Sequence, residues 1–95
     1  MGPVTLIRTT EGIIVCPVDA APLPVVVWKK DRQRIAYDKH IKLADNKRDL
    51  LIKNVSNFDK GLYTCDASNI HGSAEDSSFV TVGGETRAIS KFERY

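Results

Sequence analysis

The chain has 95 residues, which is enough for one domain and too few for two. Hydrophobic residues make up 42% of it, an ordinary share for a soluble globular domain, and no apolar run approaches the length of a membrane-spanning helix. The formal net charge of +2 is too small to indicate a nucleic-acid-binding protein by itself.

The first part of the chain is predicted to form strands, because β-branched residues are frequent and helical periodicity is nearly absent. A short first strand is predicted at residues 4–7 and a second at residues 12–18. Ile14 and Cys16 share one face of the second strand, and alternation assigns that face to the core. Residues 20–24 contain prolines at two positions, so this segment is expected to be a loop rather than a central strand.

The later segments continue the alternation of apolar and polar faces. Val26 and Trp28 point inward from the third strand, a polar turn follows at residues 31–34, and Ile41 and Leu43 alternate in the same way. The remaining inward-facing residues are expected to be Leu50, Ile52, Tyr63, Cys65, Ala67, Ala74, Val80 and Val82. Short strands separated by turns every 8 to 12 residues or so predict a β-sandwich in which each sheet packs one face.

Three stretches of sequence resemble intermediate-set immunoglobulin domains. Residues 22–28 (PLPVVVW) are similar to the P-x-P-x-V-x-W entry to the third strand, and residues 50–55 (LLIKNV) to an L-x-I-x-N-V strand and its exit. Residues 59–72 (DKGLYTCDASNIHG) match D-x-G-x-Y-x-C-x-A-x-N-x-x-G without a gap. The chain is therefore identified as a member of the immunoglobulin superfamily by a joint match that covers residues 4–82.

This resemblance implies an all-β immunoglobulin-like sandwich of two antiparallel sheets with Greek-key connections. It also implies that a disulfide between Cys16 and Cys65 packs against Trp28 and that the Tyr63 hydroxyl bonds to the backbone a few residues upstream. The other structural residues that it implies are Asp59, Gly61, Leu50 and Ile52. Residues 1–82 would form the domain. Residues 83–95 would be a flexible linker or an artificial tail, with a short docking helix built on Ile89, Phe92 and Tyr95 as the alternative.

The sequence contains no motif of an enzyme or a metal site. It has no glycine-rich phosphate loop, no nucleophile elbow and no paired histidine ligands, and His40 and His71 are expected to be ordinary exposed residues. We therefore predict a non-enzymatic domain without a cofactor. Asn54 begins an acceptor sequence for N-glycosylation, although it also belongs to the strand motif above, and a glycan there is expected only if the protein is secreted.

Residues 65–72 (CDASNIHG) resemble the final hairpin of neural adhesion proteins, and residues 20–24 (AAPLP) resemble the equivalent loop of contactin-type chains. This resemblance implies an extracellular protein-binding or spacer module of a cell-surface adhesion molecule or receptor. Its partners would be other proteins, through homophilic or heterophilic contacts, and the neighbouring domains of its own chain. The candidate binding face consists of Lys29, Leu62, Thr64, Asp66, Ser68 and Phe79.

Two alternatives stay open. The first is an intracellular structural module of a titin-like muscle or cytoskeletal protein, in which the thiols would remain reduced. The second is a spacer in a secreted matrix proteoglycan. A sulfated glycan is an additional candidate partner, because residues 28–53 carry nine Lys and Arg against four Asp.

Overall fold

The structure, a computed structural model, describes residues 2–84 and contains eight strands within that range. In chain order they are β1 (Val4–Ile7), β2 (Gly12–Ile14), β3 (Val25–Lys30), β4 (Gln33–Arg34), β5 (Ile41–Leu43), β6 (Leu50–Ile52), β7 (Gly61–Asn69) and β8 (Gly72–Gly83). A single 3-10 turn at Asn57–Asp59 precedes β7. No helix among these described residues is long and apolar enough to cross a bilayer.

The strands form two sheets of unequal size. The larger has the order β1-β8-β7-β3-β4 and the smaller β2-β6-β5. Every strand pair is antiparallel except β1 with β8, which is parallel, a departure from the expected purely antiparallel sheets. The chain passes from β1 in the larger sheet directly to β2 in the smaller one. The predicted immunoglobulin-like sandwich is confirmed.

The core lies between the sheets and is made by alternate residues of the strands. Trp28 and Tyr63 are its largest fully buried side chains. Each buried aliphatic or aromatic side chain contributes on the order of 2 kcal/mol relative to exposure. The core residues are Leu6, Ile14, Cys16, Val26, Trp28, Leu50, Ile52, Val55, Tyr63, Cys65, Ala67 and Val80.

The second strand is shorter than predicted, because it ends at Ile14 instead of continuing to residue 18. The backbone N–H of Cys16 donates to the carboxylate Oδ1 of Asp49 at 3.0 Å, and Pro17 has no N–H to continue a ladder. Cys16 nevertheless keeps the inward orientation expected from alternation and is fully buried.

The prediction that Ala74 is buried is wrong. Ala74 pairs with buried Ala67, yet it is exposed at the rim of an open cleft between the hairpin and the loop at residues 18–24. The alternation is correct, but the part of the β7–β8 hairpin that carries Ala74 is not covered by the smaller sheet.

The end of the last strand falls one residue beyond the predicted domain boundary. Gly83 pairs with Ile7, and its carbonyl accepts a hydrogen bond from the N–H of Arg8 at 3.0 Å. The predicted linker, tail or docking helix at residues 85–95 lies outside the described residues.

Candidate functional site: the outer face of the larger sheet

The two sheets are joined behind this face by a disulfide between Cys16 and Cys65, which are 49 positions apart in sequence. Cys65 is the register partner of Trp28, so the indole lies beside the bridge. Trp28 is fully buried, and its Nε1–H donates to the carbonyl of Arg48 at 2.9 Å, which satisfies the polar atom of the ring. These contacts fix β3 and β7 at the centre of the larger sheet.

A second fixed point is the corner that leads into β7. The hydroxyl of Tyr63 donates to the carbonyl of Asp59 at 2.6 Å inside the protein. Burial raises the pKa of Tyr63, and the negative charges of Asp59 and Asp31 act in the same direction. The Asp59 carboxylate accepts the N–H of Ser56, the N-cap residue of the 3-10 turn, at 2.8 Å. The residue that anchors the tyrosine therefore also completes the capping box of this turn.

His40 has a structural contact that sequence reasoning missed. Its Nε2 lies 2.8 and 3.0 Å from the two carboxylate oxygens of Asp59, and about two fifths of its side chain remains exposed. The contact ties the segment before β5 to the corner before β7. No local pattern indicates it, because the partners are 19 positions apart. His71, by contrast, is exposed as expected.

The start of β7 is shaped by a close approach at Gly61. Gly61 has φ +155°, and a Cβ built there would lie 2.9 Å from Oδ1 of Asp31. The same oxygen accepts the N–H of Leu62 at 3.0 Å. Asp31 and Arg32 adopt φ values of 50° and 71°, and two successive positive values are typical of a tight type I′ hairpin turn. A side chain at Gly61 would therefore disturb the β3–β4 turn.

The outer face, defined as the solvent side of the five-stranded sheet, contains all six residues of the candidate binding face. Lys29 is the register partner of Thr64, and Leu62 that of Phe79. Asp66 and Ser68 follow Thr64 at intervals of two and therefore share its side of the sheet.

The residues of the outer face differ in how much surface they offer. Phe79 is 68% exposed, whereas Thr64 is only 8% exposed because its neighbours flank it. The Thr64 hydroxyl is hydrogen bonded to Ser77 Oγ at 2.8 Å. Thr64 therefore supports the face but presents little surface to a partner.

Four further charged or polar residues at the outer face were missed in the sequence. Arg34 pairs with Lys29, and Glu75 pairs with Asp66. A shallow depression of the face is lined by Lys29, Arg32, Leu62, Thr64, Glu75 and Ser77. Alternation along β8 could have placed Glu75 and Ser77 on this side of the sheet, but the position of Arg32 depends on the turn geometry.

Asn54, the candidate glycosylation residue, lies away from the outer face. It follows β6 of the smaller sheet, is exposed and has φ 52°, a conformation that asparagine tolerates better than most residues. The next residue is anchored, since Val55 is buried and its N–H donates to the carbonyl of Thr10 at 2.9 Å. The Asn54 side chain is thus presented to solvent at one end of the smaller sheet.

The basic residues that suggested a sulfated glycan are divided among several surfaces. Lys29 and Arg34 lie on the outer face, whereas Lys42 belongs to β5 of the smaller sheet. Lys47 and Arg48 lie in the turn before β6. Within residues 2–84 no group of three or more His, Cys, Asp or Glu side chains could hold a metal ion.

The comparison with known proteins agrees with this architecture. The model of the immunoglobulin I-set domain matches residues 3–82. The chain is 38% identical over 71 residues to vascular endothelial growth factor receptor 2 of Rattus norvegicus, covering 75% of this chain and 5% of the receptor. It is 36% identical over 87 residues to contactin-4 of Homo sapiens, covering 90% of this chain and 8% of contactin-4. The chain thus spans a small fraction of the length of these relatives.

Solved structures give the same result. A chain in the crystal structure of a complex between titin and an obscurin-like immunoglobulin domain superposes with a TM-score of 0.76 at 31% identity. The superposition covers 90% of this chain and 89% of that chain. With its two sheets, its bridged core and the match over residues 3–82, the chain belongs to the immunoglobulin I-set family.

Proposed function

We propose that this domain is a protein-binding or spacer module in the ectodomain of a cell-surface adhesion molecule or receptor, and that it binds through the outer face. The observation that carries the binding role is the exposed aromatic ring of Phe79 beside Leu62, on a face that also carries charged and hydroxyl side chains. Exposed aromatic residues accompanied by polar groups are typical of protein–protein interfaces. The domain has no enzymatic role in this proposal.

The extracellular location is supported by the disulfide and by the relatives. Disulfides persist in oxidising compartments and are rare in the cytosol of most organisms. The structure joins Cys16 to Cys65 across the core, and no described cysteine is free. The receptor and contactin relatives at 38% and 36% identity are consistent with the same setting.

The binding role can be tested with a tetramerised form of the domain applied to intact cells. We expect Leu62→Glu combined with Phe79→Glu to reduce cell binding about tenfold or more, because truncating or charging a desolvated apolar anchor costs more than about 1.4 kcal/mol. The matched control is Ile13→Glu combined with Ile70→Glu, which charges two exposed apolar residues, one on the smaller sheet and one in the turn between β7 and β8. Equal binding by both folded variants would remove the outer face from the proposal.

The location can be tested by titrating thiols on protein isolated from its natural source. The protein is denatured without reductant and its thiols are counted before and after reduction. We expect none before reduction and two afterwards for the cysteine pair. Two thiols already present before reduction would favour an intracellular domain instead.

The second candidate is an intracellular structural module in a titin-like protein. It is favoured by the superposition on the titin–obscurin-like complex, which at 31% identity covers nearly the whole of both chains. In that setting the sandwich would be held by packing alone, and the outer face would contact a neighbouring cytoskeletal domain. The thiol titration separates the two candidates directly.

A further inference from the structure

The charged residues of the outer face are separated by sign. The positive side chains of Lys29 and Arg34 belong to β3 and β4, whereas the negative side chains of Asp66 and Glu75 belong to β7 and β8. Because β3 and β7 are adjacent, the boundary between the positive and negative halves runs parallel to the strands, between β7 and β3. The hydroxyl pair of Thr64 and Ser77 lies beside this boundary.

Arg32 extends the positive half toward the centre of the face. It lies in the β3–β4 turn with φ 71°, in the left-handed region that is costly for a residue with a side chain. Through this turn it borders the same depression as Leu62 and Glu75. The Asp31 carboxylate, which accepts the N–H of Leu62 at 3.0 Å, holds the turn against β7.

The charges on this face are only partly neutralised within one molecule. The Lys29 ammonium lies 3.7 Å from Asp66 Oδ2, and both side chains remain more than a third exposed. An ion pair of that exposure and distance contributes little to stability, so both groups remain available to a partner.

We infer that the outer face is self-complementary and that its partner is a second copy of this domain. A two-fold axis that lies in the interface and runs parallel to the strands exchanges the positive and negative halves, so β3 and β4 of one copy face β7 and β8 of the other. Lys29, Arg32 and Arg34 of each copy then oppose the strands that carry Asp66 and Glu75 of its partner. The axis keeps the height of each residue along the strands, so Leu62 and Phe79 of one copy face the β3–β4 turn of the other and pack against the aliphatic part of its Arg32. The interface is isologous.

The expected association is weak and depends on salt. Five strands about 4.8 Å apart and some seven residues long present on the order of 500 Å² per copy, which is at the low end for specific interfaces. We therefore expect a dissociation constant in the micromolar to millimolar range that increases with ionic strength, since exposed charges separated by about a Debye length are screened. This inference rests on the proposed use of the outer face and names the partner.

Sedimentation velocity on the full chain and on charge-reversed variants tests the inference. The first variant carries Lys29→Glu and Arg32→Glu, which leaves Arg34 as the one positive side chain among the charged residues named above. The second variant carries Asp66→Lys and Glu75→Lys, which makes all of these residues positive. We expect the parent chain to form a reversible dimer, each variant alone to associate at least about tenfold more weakly, and an equimolar mixture of the two to form a one-to-one complex.

Matched controls change the net charge by the same amount on other surfaces. Lys42→Glu with Lys53→Glu alters the smaller sheet and the residue that follows it, and Glu11→Lys with Asp45→Lys alters exposed residues outside the strands. Both controls should dimerise like the parent chain.

A parent chain that stays monomeric at millimolar concentration, or a mixture of the two variants that does not associate, would overturn the inference. Neither result would contradict a loss of cell binding in the variant with Leu62→Glu and Phe79→Glu. Failure of self-association and failure of the proposed function are therefore separate outcomes.

Discussion

The hydroxyl of Tyr63 is a buried donor, and the carbonyl of Asp59 accepts its hydrogen bond at 2.6 Å. Tyr63→Phe removes the donor and leaves a buried carbonyl without this partner. We expect the free energy of unfolding to fall by about 1–3 kcal/mol. Urea unfolding at neutral pH measures the loss, with Ser73→Ala, an exposed hydroxyl of β8, as the control that should change little.

The same residue predicts how stability depends on alkaline pH. Burial, reinforced by Asp59 and Asp31, raises the pKa of Tyr63 in the folded protein above its ordinary value of 10.0. Above pH 10 or so the unfolded chain loses this proton while the folded chain keeps it, so stability is intact below that pH and declines as pH rises. The limiting slope is about 1.4 kcal/mol per pH unit.

Unfolding in urea between pH 8 and about 11 checks this dependence. Tyr63→Phe should decline less steeply than the parent chain. It should still decline somewhat, because burial also raises the pKa of Tyr37. Parallel pH profiles for the two proteins would mean that Tyr63 is not the group that titrates.

Asn54 gives a prediction about modification. On secreted protein we expect a mass shift that amidase removes, since the side chain is exposed and the acceptor sequence is complete. Asn54→Gly should abolish the shift and tolerate the φ of 52°, whereas Ser56→Thr should keep it. An unmodified Asn54 peptide from secreted material would refute the site. A glycan there should leave binding through the outer face unchanged, because Asn54 follows a strand of the smaller sheet.

For single elements, two contributions to stability can be measured separately at the start of β7. One is the contact with the β3–β4 turn, and the other is the backbone strain at a glycine with positive φ. Gly61 and Gly72 have φ of +155° and +149°, but only at Gly61 would a Cβ meet other atoms, 2.9 Å from Asp31 Oδ1. Both changes to alanine should be destabilising, on the order of 1–3 kcal/mol. We expect Gly61→Ala to cost about 1 kcal/mol more than Gly72→Ala, because the turn must also shift.

Chemical denaturation of the two alanine variants gives this difference. Combining Gly61→Ala with Asp31→Ala should reveal a coupling energy, since the two positions share the contact. Equal losses at the two glycines, or strict additivity with Asp31, would show that the close approach carries no energy of its own.

Some elements could be predicted from the sequence and others could not. Alternation around Trp28 and Cys65 indicates which side chains face inward, because the period of a strand is two whatever its partner. The end of β2 could not be predicted, because the Cys16 N–H donates to the side chain of Asp49, which lies 33 positions later in the sequence. The exposure of Ala74 depends on where the smaller sheet stops, which no local pattern encodes.

At the scale of the whole molecule, the distribution of charge on the outer face results from the topology. Lys29 and Asp66 are far apart in sequence and become neighbours because β3 pairs with β7. The sequence alone shows an excess of Lys and Arg in the middle of the chain. Only the order of the strands in the two sheets shows which of these residues share a surface. The contact between His40 and Asp59 arises in the same way. Contacts of this kind can be predicted only after the fold is known.

The disulfide between the two sheets makes part of the free energy of unfolding depend on whether the cysteines are oxidised. Joining residues 49 positions apart restricts the unfolded chain, and loop-closure entropy assigns about 4 kcal/mol to a loop of that length. We therefore expect Cys16→Ala with Cys65→Ala to lower the free energy of unfolding by about that amount, a large share of the total for so small a domain.

Guanidinium unfolding of the oxidised parent chain, the reduced parent chain and the double variant separates the bridge from the packing of the sulfur atoms. Reduction should reproduce most of the loss while the thiols keep their places beside Trp28. A reduced chain within about 1 kcal/mol of the oxidised one would mean that packing alone holds the sandwich. That is the property an intracellular module would need, and it would weaken the case for an ectodomain.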